Sequence, residues 1–442
     1  MSSLKQGDKL QTKKGITITV KKSLGTGGQG EVYLVDYYGK EKALKWYHTS
    51  FLKNLAYDKK GKYLGNEKVF YDNILNNINN GAPTSAFLWP EDITKWNGGR
   101  DEQYGYIMDV RPSHYNELTD FYMNKVGFKS DQELITACIN IIEGFRTLHN
   151  NGYSYQDLNN GNFFVDKNTG DVLICDNDNV SVNTVNFGIS GKQRYMAPEI
   201  VLGGVPDKLS DRFSMAIILF RMLCWGHPFE GKYSTPPCMT PEYEKQFYGS
   251  DPVFLFDPDD DRNRPVPYLN DAAMKLWPLY PDYIHDLFIK TFNKTGVTNG
   301  SKRPIDSVWM ESFIRLRGEA AKCPKCGRDL YLNPHASVKC SKCGMELKAP
   351  FNLKFGNFEI PIVPGAQIQH YQVDPSSNDC HGIVGKVLRN QTTKEVGIGN
   401  MSNETWNVIF EDNTTQSVPP KTIAPIKKGM KIMIGNRSGE LV

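Results

Sequence analysis

Apolar and polar residues alternate in two stretches near the start of the chain. Residues 17–24 read TITVKKSL and residues 31–38 read EVYLVDYY, and both stretches are rich in β-branched or aromatic side chains. This pattern predicts two strands. The turn between them has the spacing G-x-G-x-x-G, formed by Gly25, Gly27 and Gly30. Because both flanks are strands, we predict a hairpin folded over phosphates rather than the strand-to-helix turn of dinucleotide-binding folds; an ordinary glycine-rich turn is the alternative.

Two further patterns predict helices and a β-rich end. Apolar residues recur at helical spacing in residues 65–78, and residues 209–231 form a helix too apolar to lie on a surface. From residue 349 onward, short strand-like pieces alternate with turns, and helical periodicity is almost absent. These pieces are NFEIPIV (357–363), AQIQHYQV (366–373), GIVGKVLR (382–389), TWNVIFED (405–412) and KIMIG (431–435). The end of the chain is therefore predicted to be an all-β domain.

The centre of the chain carries candidate chemistry for phosphate transfer. The segment YQDLNNGN places Asp157 five residues before Asn162, and a buried strand further on ends in Asp176. At this spacing one side chain can orient a substrate hydroxyl while another holds a metal ion on ATP. Lys45 follows the glycine-rich turn in a predicted strand, where it can grip phosphates. Its acidic partner is predicted to be Glu67 at the start of the next helix, with Asp72 as the second choice and simple dipole compensation as the alternative role of Glu67.

These motifs, in this order, resemble a eukaryotic-like bacterial Ser/Thr protein kinase over residues 12–318. The resemblance implies an α+β chain with a bilobal kinase fold, an N-lobe at 1–110 and a C-lobe at 111–318. It implies that Asp157 is the catalytic base, that Asn162 and Asp176 bind Mg²⁺ or Mn²⁺, and that Lys45 clamps ATP. The implied nucleotide-binding residues are Gly25, Thr26, Gly27, Gly28, Gln29, Gly30, Val32, Ala43, Lys45, Met108, Asp109 and Val110.

The lower part of the predicted kinase also carries the expected structural motifs. The segment YMAPEI contains Glu199, the apolar helix begins near Asp211, and Arg303 follows in SKRPIDSVW. By the resemblance, Glu199 pairs with Arg303, and Asp211 holds the catalytic loop, which is the segment YQDLNNGN at residues 155–162. Small-molecule phosphotransferases share the loop residues but generally lack this pair, so a protein substrate is favoured over a small molecule.

Several positions depart from the family pattern. Tyr155 and Gln156 precede Asp157 where the family has His-Arg, and Asn177 and Asp178 follow Asp176 where it has Phe-Gly. Without the arginine, phosphates on Ser181, Thr184 and Ser190 are not expected to be required for activity. Asn159 stands where protein Ser/Thr kinases carry a lysine near the γ-phosphate, and the loss of that cation is expected to slow transfer. A pseudokinase scaffold that binds nucleotide or proteins without transfer is the alternative function.

Four cysteines near the end of the predicted kinase form two C-x-x-C pairs, CPKC and CSKC, separated by residues 327–339. Each pair leads into a glycine, which permits a tight turn. This spacing predicts a structural zinc ribbon at residues 319–348, with rubredoxin-like iron as the alternative metal. The predicted ligands are Cys323, Cys326, Cys340 and Cys343.

Composition limits the range of partners. A net charge of +3 over 442 residues does not imply nucleic acid as an obligatory partner, and the lysines of the ribbon are expected to be solvated. The first 15 residues lack the apolar core of a signal peptide, and the longest apolar stretch is interrupted by Arg221 and too short to span a bilayer. We therefore expect a cytoplasmic protein without membrane segments.

The β-rich end, residues 349–442, is predicted to be a β-sandwich-like domain. Its fragment GIGNMSNETW faintly resembles a loop of forkhead-associated domains, but the other elements of that family are not present in order. The order of kinase, ribbon and β-domain is similar to the kinases of tellurite-resistance-associated phosphorylation triads. That resemblance implies a von Willebrand A-type protein and a metal-dependent protein phosphatase as partners in bacterial stress signalling, with the tail selecting the partner.

Overall fold

The structure is a computed structural model that describes residues 4–99, 102–186, 191–236 and 238–442. Ser190, one of the three possible phosphorylation sites named above, lies outside the described residues. Within the described part of the chain, no helix combines the length and the apolar character needed to cross a bilayer.

An antiparallel sheet with two helices forms the part of the chain predicted to be the N-lobe. Its strands follow the spatial order β1-β2-β3-β4-β6-β5. The elements are β1 (Lys9–Gln11), β2 (Thr17–Thr26), β3 (Gly30–Tyr37), β4 (Lys40–Tyr47), α1 (Thr49–Ala56), α2 (Asn66–Asn80), β5 (Asp92–Ile93) and β6 (Gly105–Met108). The two strands predicted on either side of the glycine-rich turn are present as β2 and β3, which pair in antiparallel register. Phe70 and Ile74 of α2 are fully buried, as the helical spacing predicted, whereas Val69, another apolar position of that spacing, is 49% exposed.

The C-lobe is mainly helical, with short strands around the catalytic loop. Its elements are β7 (Asn116–Glu117), α3 (Leu118–Tyr122), α4 (Asp131–Asn150), β8 (Tyr153–Ser154), β9 (Phe163–Val165), β10 (Val172–Ile174), β11 (Ser181–Val182), α5 (Pro198–Val201), α6 (Lys208–Cys224), α7 (Pro241–Lys245), α8 (Asp271–Leu276), α9 (Asp282–Phe292), α10 (Lys294–Thr298) and α11 (Asp306–Glu319). Single 3₁₀ turns at Asn160–Asn162, Asn177–Asn179 and Gln193–Tyr195 lie next to the candidate site.

The core of the C-lobe is built around α6, the helix predicted to be buried. Asp207 caps its start by accepting hydrogen bonds from the backbone N–H groups of Leu209 and Ser210, at 2.9 Å each. Nearly all of its middle is buried, and it packs with α4, α9 and α11 in one apolar cluster. This rigid centre supports the catalytic loop, because the loop is anchored to a residue near the start of α6.

Two small hairpins follow α11. They consist of β12 (Ala320–Lys322) with β13 (Asp329–Tyr331) and β14 (Val338–Lys339) with β15 (Glu346–Leu347). Tyr331 is buried in the core of the C-lobe and its hydroxyl donates a hydrogen bond to Asp131 at 3.0 Å. The hairpins are therefore fastened to the base of α4.

The β-rich end has two sheets around one apolar core that includes Ile368, Ile398, Trp406 and Ile432. One sheet has the order β17-β16-β25-β24-β21-β22 and the other β18-β19-β20-β23. The elements are β16 (Asn352–Phe355), β17 (Phe358–Pro361), β18 (Gln367–Gln369), α12 (His370–Val373), β19 (Ile383–Arg389), β20 (Val396–Asn400), β21 (Trp406–Ile409), β22 (Thr415–Val418), β23 (Ile423–Pro425), β24 (Lys431–Ile434) and β25 (Arg437–Leu441).

One detail of the predicted β-domain was wrong. The piece AQIQHYQV is a strand only as far as Gln369, and His370–Val373 form the short helix α12. Its turn is closed by Gln372, whose side chain accepts a hydrogen bond from the backbone N–H of Gln369 at 2.9 Å. Such side-chain capping favours a helix over the alternation that the apolar pattern suggested.

Candidate active site

The glycine-rich turn joins β2 to β3 at the edge of the cleft between the lobes. Gly25 and Thr26 end β2, Gly27 to Gln29 form the turn, and Gly30 begins β3. Gly30 is required by packing, because a Cβ there would lie 2.3 Å from the backbone oxygen of Trp46. At Gly25 and Gly28 a Cβ would meet no atom within 4 Å in the described structure, and neither has a positive φ. The protein itself therefore gives no reason for glycine at these two positions, whereas close approach of a ligand would.

The predicted adenine-binding residues form an apolar wall beneath this turn. Ala43 of β4 lies directly opposite Met108 of β6 in the sheet. Both are buried, and Val32 and Val110 pack against the same cluster. Asp109 turns its carboxylate outward to Lys42, whose Nζ lies 2.6 Å away, so the backbone of this segment is what can face a base.

Lys45 is buried in the cleft and touches two carboxylates. Its Nζ lies 3.2 Å from Oδ1 of Asp176 and 2.9 Å from Oδ2 of Asp178, and it also donates to Oε1 of Gln29 at 2.9 Å. Burial lowers the pKa of Lys45, but the two carboxylates outweigh this effect and raise it. Lys45 is therefore a firmly charged ammonium that joins the glycine turn to the loop after β10.

The predicted partner of Lys45 was wrong. Glu67 lies at the start of α2, where its carboxylate accepts a hydrogen bond from the hydroxyl of Tyr63 at 2.7 Å. Asp72, the second choice, pairs with Lys68 at 2.6 Å on the exposed face of α2. Neither acid is among the groups that contact Lys45 in the described structure. Asp72 is exposed, and Glu67 is half-buried beside Tyr63.

Asp178 forms the ion pair with Lys45 that was predicted for the glutamate of α2. Its side chain is fully buried, and Oδ2 also accepts a hydrogen bond from the hydroxyl of Tyr47 at 2.5 Å. The sequence contains a feature from which this pairing could have been predicted, because an acid stands two residues after Asp176 where the family has glycine. A buried carboxylate needs a cation or several donors, and Lys45 is the cation that meets this requirement.

Asn177, which stands where the family has phenylalanine, is held by hydrogen bonds. Asn177 is buried, and its amide donates to the backbone oxygens of Leu88 and Ile174 at 2.8 Å each. Asp176 itself has φ 53° and ψ 47°, a left-handed conformation that is uncommon outside glycine. Asn177 is thus anchored by two backbone oxygens directly after Asp176.

The catalytic loop is fixed from below by Asp211. Its carboxylate accepts hydrogen bonds from the backbone N–H groups of Tyr155 and Gln156, at 2.6 and 3.0 Å. The ring of Tyr155 is fully buried, and its hydroxyl donates to the backbone oxygen of Cys175. The loop and the strand that leads to Asp176 are therefore tied together by Tyr155.

Asp157 and Asn162 lie at opposite ends of this loop but contact each other. The amide nitrogen of Asn162 donates to the backbone oxygen of Asp157 at 2.8 Å. With this nitrogen engaged, the amide oxygen of Asn162 is the atom suited to ligate a cation. Asp176 is the matching carboxylate, since its side chain is 42% exposed although it contacts Lys45.

Asp157 has the electrostatic character of a base. Burial raises its pKa, a hydrogen bond from Asn159 lowers it, the nearby Asp176 raises it, and Lys45 and Lys192 lower it, with a result of about 6. A carboxylate of this pKa is ionised at neutral pH and can still accept a proton.

Gln156 joins the catalytic loop to residues 181–185 through its side-chain amide. Its amide nitrogen donates to the hydroxyls of Ser154 and Ser181 at 3.1 and 2.6 Å, and to the backbone oxygen of Val185 at 2.5 Å. Ser181 is fully buried in this arrangement, so it is not exposed to a modifying enzyme.

The predicted pair at the base of the lower lobe is present. Arg303 donates two parallel hydrogen bonds to Glu199, at 2.7 and 2.8 Å, and its guanidinium is buried. Such a bidentate pair is geometrically specific, and it holds α5 against the turn before α11.

The four predicted metal ligands also come together. Their sulfur atoms all lie within 4.8 Å of one another, and the pairs Cys323–Cys343 and Cys326–Cys340 are each 3.6 Å apart. Gly327 and Gly344 have φ values of 71° and 72°, as the two tight turns require. Four sulfurs at about 2.3 Å from a tetrahedral metal would be separated by about 3.8 Å, so these residues fit a four-thiolate site.

Known protein kinases match part of this chain. Residues 88–247 match the model of the protein kinase domain. Protein kinase YegI of Escherichia coli K12 is 23% identical over 333 residues, which cover 72% of this chain and 48% of that protein. The Ser/Thr-protein kinase AtPK1/AtPK6 of Arabidopsis thaliana is 35% identical over 94 residues, covering 21% of this chain and 20% of that protein. A probable cAMP-dependent protein kinase catalytic subunit of Encephalitozoon cuniculi is 28% identical over 150 residues, covering 34% of this chain and 44% of that protein.

Residues 88–247 therefore resemble a protein kinase domain, and the similar proteins include bacterial and eukaryotic kinases. The chain spans about half the length of the YegI protein that it matches. The domain match begins after the glycine turn and Lys45, so the assignment of the N-lobe rests on its sheet and on the contacts of Lys45.

Proposed function

We propose that this chain is an ATP-dependent Ser/Thr protein kinase. The observation that carries the proposal is the assembly, from three separate segments, of one charged cleft with the expected chemistry. That cleft contains Lys45, Asp157, Asn162 and Asp176. The match of residues 88–247 to the protein kinase domain supports the same conclusion.

The cleft fits a nucleotide with its metal ion. The apolar wall of Ala43 and Met108 suits a base, and the open space at Gly25 and Gly28 suits phosphates. When Mg²⁺ is bound, it neutralises phosphate charge and orients the γ-phosphate. Asn162 and Asp176 would hold it, because they offer an amide oxygen and a carboxylate next to Lys45, and oxygen ligands suit Mg²⁺ or Mn²⁺.

Phosphoryl transfer then needs few groups of the protein. The hydroxyl oxygen of the substrate forms a bond to the γ-phosphorus, and the bond from that phosphorus to the oxygen bridging it to the β-phosphate breaks. Asp157 accepts the hydroxyl proton, and Lys45 stabilises the phosphates of the departing ADP. Asp211 keeps Asp157 in position through the loop backbone.

A protein is the favoured substrate. The Glu199–Arg303 pair anchors the segment after the catalytic loop to the lower lobe, which gives an extended peptide a firm surface. Because the family relatives include Ser/Thr kinases, the acceptor proposed is a Ser or Thr hydroxyl. The resemblance to tellurite-associated triads supports a von Willebrand A-type protein and a metal-dependent phosphatase as partners, with the ribbon and β-domain for recognition.

The test is transfer of labelled γ-phosphate from ATP to a generic protein acceptor, with Mg²⁺ or Mn²⁺. Wild type is expected to transfer, whereas Asp157→Asn, Lys45→Ala and Asp176→Ala are expected to fall by about three orders of magnitude or more, as for removal of central catalytic groups. A matched control is Asp72→Asn, which removes an exposed carboxylate of the N-lobe that contacts only Lys68 among the described ion pairs.

Absence of transfer by wild type, with nucleotide binding retained, would support the pseudokinase alternative. Full transfer by Asp157→Asn with an intact fold would also contradict the proposal, because no base would then be needed at this position.

A further inference from the structure

The catalytic loop lacks a cation at Asn159, but a lysine from another segment lies beside it. Asn159 is buried, and its amide nitrogen donates to Oδ1 of Asp157 at 3.1 Å. On the other side its Oδ1 accepts a hydrogen bond from Nζ of Lys192 at 2.9 Å. Asp157, Asn159 and Lys192 thus form a short chain of hydrogen bonds that ends in an ammonium group.

The backbone explains why Lys192 comes so close to the catalytic loop. At Gly191 a Cβ would lie 3.0 Å from Oδ1 of Asp157, so the segment approaches the base more closely than most side chains allow. Beyond Lys192, the hydroxyl of Tyr195 donates to the side chain of Asn160 at 2.7 Å. The segment is therefore fastened to the catalytic loop on both sides of Lys192.

Resting on the proposed kinase function, we propose that Lys192 supplies the cation missing at Asn159 and contacts an oxygen of the γ-phosphoryl group during transfer. In this arrangement the cation comes from the segment before Glu199 rather than from the catalytic loop. The hydroxyl proton goes to Asp157, and the γ-phosphorus exchanges its bond to the β-bridging oxygen for a bond to the acceptor oxygen, so Lys192 takes part in no proton transfer.

Two observations support a role in contact with substrate rather than a purely structural one. Lys192 is exposed, and its ammonium is held by a neutral amide rather than by a carboxylate. Because its hydrogen-bond partner is neutral, the ammonium of Lys192 has no contact ion pair among the described residues. A cation without such a contact attracts a phosphate more strongly than a paired one. Lys192 also lowers the pKa of Asp157, which places its charge within electrostatic range of the base.

The test compares Lys192→Met, Lys192→Arg and the double change Asn159→Lys with Lys192→Met. We expect the Met variant to lose about 100-fold in kcat, as when one preorganised donor is removed. Arginine is expected to retain most of the rate, and the double variant to recover at least about tenfold over Met alone. The control is Lys290→Met, which removes an exposed lysine near the end of α9 and should leave kcat unchanged. Thermal unfolding verifies the fold, with Lys192→Gln as the second neutral variant.

A second measurement separates this inference from the kinase proposal. The preference of the protein for MgATP over MgADP reports contact with the γ-phosphate without any transfer. Lys192→Met is expected to reduce that preference roughly tenfold, about the value of one charged hydrogen bond. If wild type transfers no phosphate, the kinase proposal fails, and the nucleotide preference alone decides about Lys192. An unchanged kcat in folded Met and Gln variants, or an unchanged nucleotide preference, would overturn the inference.

Discussion

Replacement of Asp178 by Asn tests whether the metal-loop carboxylate, rather than an acid of α2, holds Lys45. The change preserves shape and removes one charge. At the observed 2.9 Å, the attraction between the two charges is about 6 kcal/mol for an effective dielectric constant of about 20. Part of this is offset, because Asn needs less desolvation and Lys45 keeps its contact with Asp176 at 3.2 Å. Removal of one partner of a buried pair usually costs about 3 kcal/mol or more.

The assay measures the stability and the activity of Asp178→Asn. We expect a loss of about 3 kcal/mol in the free energy of unfolding. If the same loss applies to the positioning of Lys45, kcat/KM for ATP falls by roughly 100-fold. Tyr47→Phe removes a single neutral donor to the same carboxylate and is expected to cost about 1 kcal/mol. Glu67→Gln is the matched control, since it neutralises the acid that the sequence favoured, and it should retain activity within about twofold.

The reverse result would refute the reasoning. A large loss in Glu67→Gln together with normal kinetics in Asp178→Asn would mean that α2 supplies the partner of Lys45 during turnover. In that case α2 would move to bring Glu67 to Lys45, and the pairing seen in the structure would belong to a resting conformation. Equal and small effects of both changes would show that Asp176 suffices to hold Lys45.

Three further predictions concern pH and metal. Because Asp157 must be ionised to accept a proton, kcat/KM is expected to fall as pH drops through about 6, and a profile flat to pH 5 would contradict its role as base. Burial lowers the pKa of His149, but hydrogen bonds to two buried carboxylates outweigh this effect and raise the pKa from 6.5 to about 9. The charged His149 therefore stabilises the fold fully below pH 6.5, and this stabilisation is lost as the pH rises towards 9. The melting-temperature difference between wild type and His149→Gln should narrow over that interval, and a constant difference would exclude this linkage. Elemental analysis should find about one zinc per chain. The double variant Cys323→Ser with Cys326→Ser should lose this zinc but still phosphorylate a generic acceptor. Less than about half an equivalent of zinc or iron in wild type would argue against the site.

Much of the site could be predicted from local sequence. The strands on either side of Gly27, the loop from Asp157 to Asn162 and the paired cysteine turns each lie within a short segment, where spacing alone limits the geometry. The Glu199–Arg303 pair could also be predicted, although it joins distant segments, because both residues belong to motifs with known partners. The short helix α12 was missed because its apolar pattern is compatible with a strand and only the Gln372 cap decides between them.

The partners of the two lysines depended on long-range packing. Asp178 follows Lys45 by 133 residues, and Lys192 follows Asn159 by 33 residues. At such separations the positions in the sequence do not predict the distance between the two side chains of each pair. Glu67 is engaged by Tyr63 instead of Lys45, and the close approach at Gly191 places Lys192 beside the catalytic loop.

The sequence by itself determined which chemical groups are present and the order in which they occur, because backbone spacing controls the geometry of loops, turns and metal knuckles. Only the tertiary structure decided which charges face each other. A buried charge must be paired wherever the packed chain offers a partner. For Lys45 that partner is Asp178, which follows the candidate metal ligand Asp176. The cation missing from the catalytic loop is replaced by Lys192 of the activation segment.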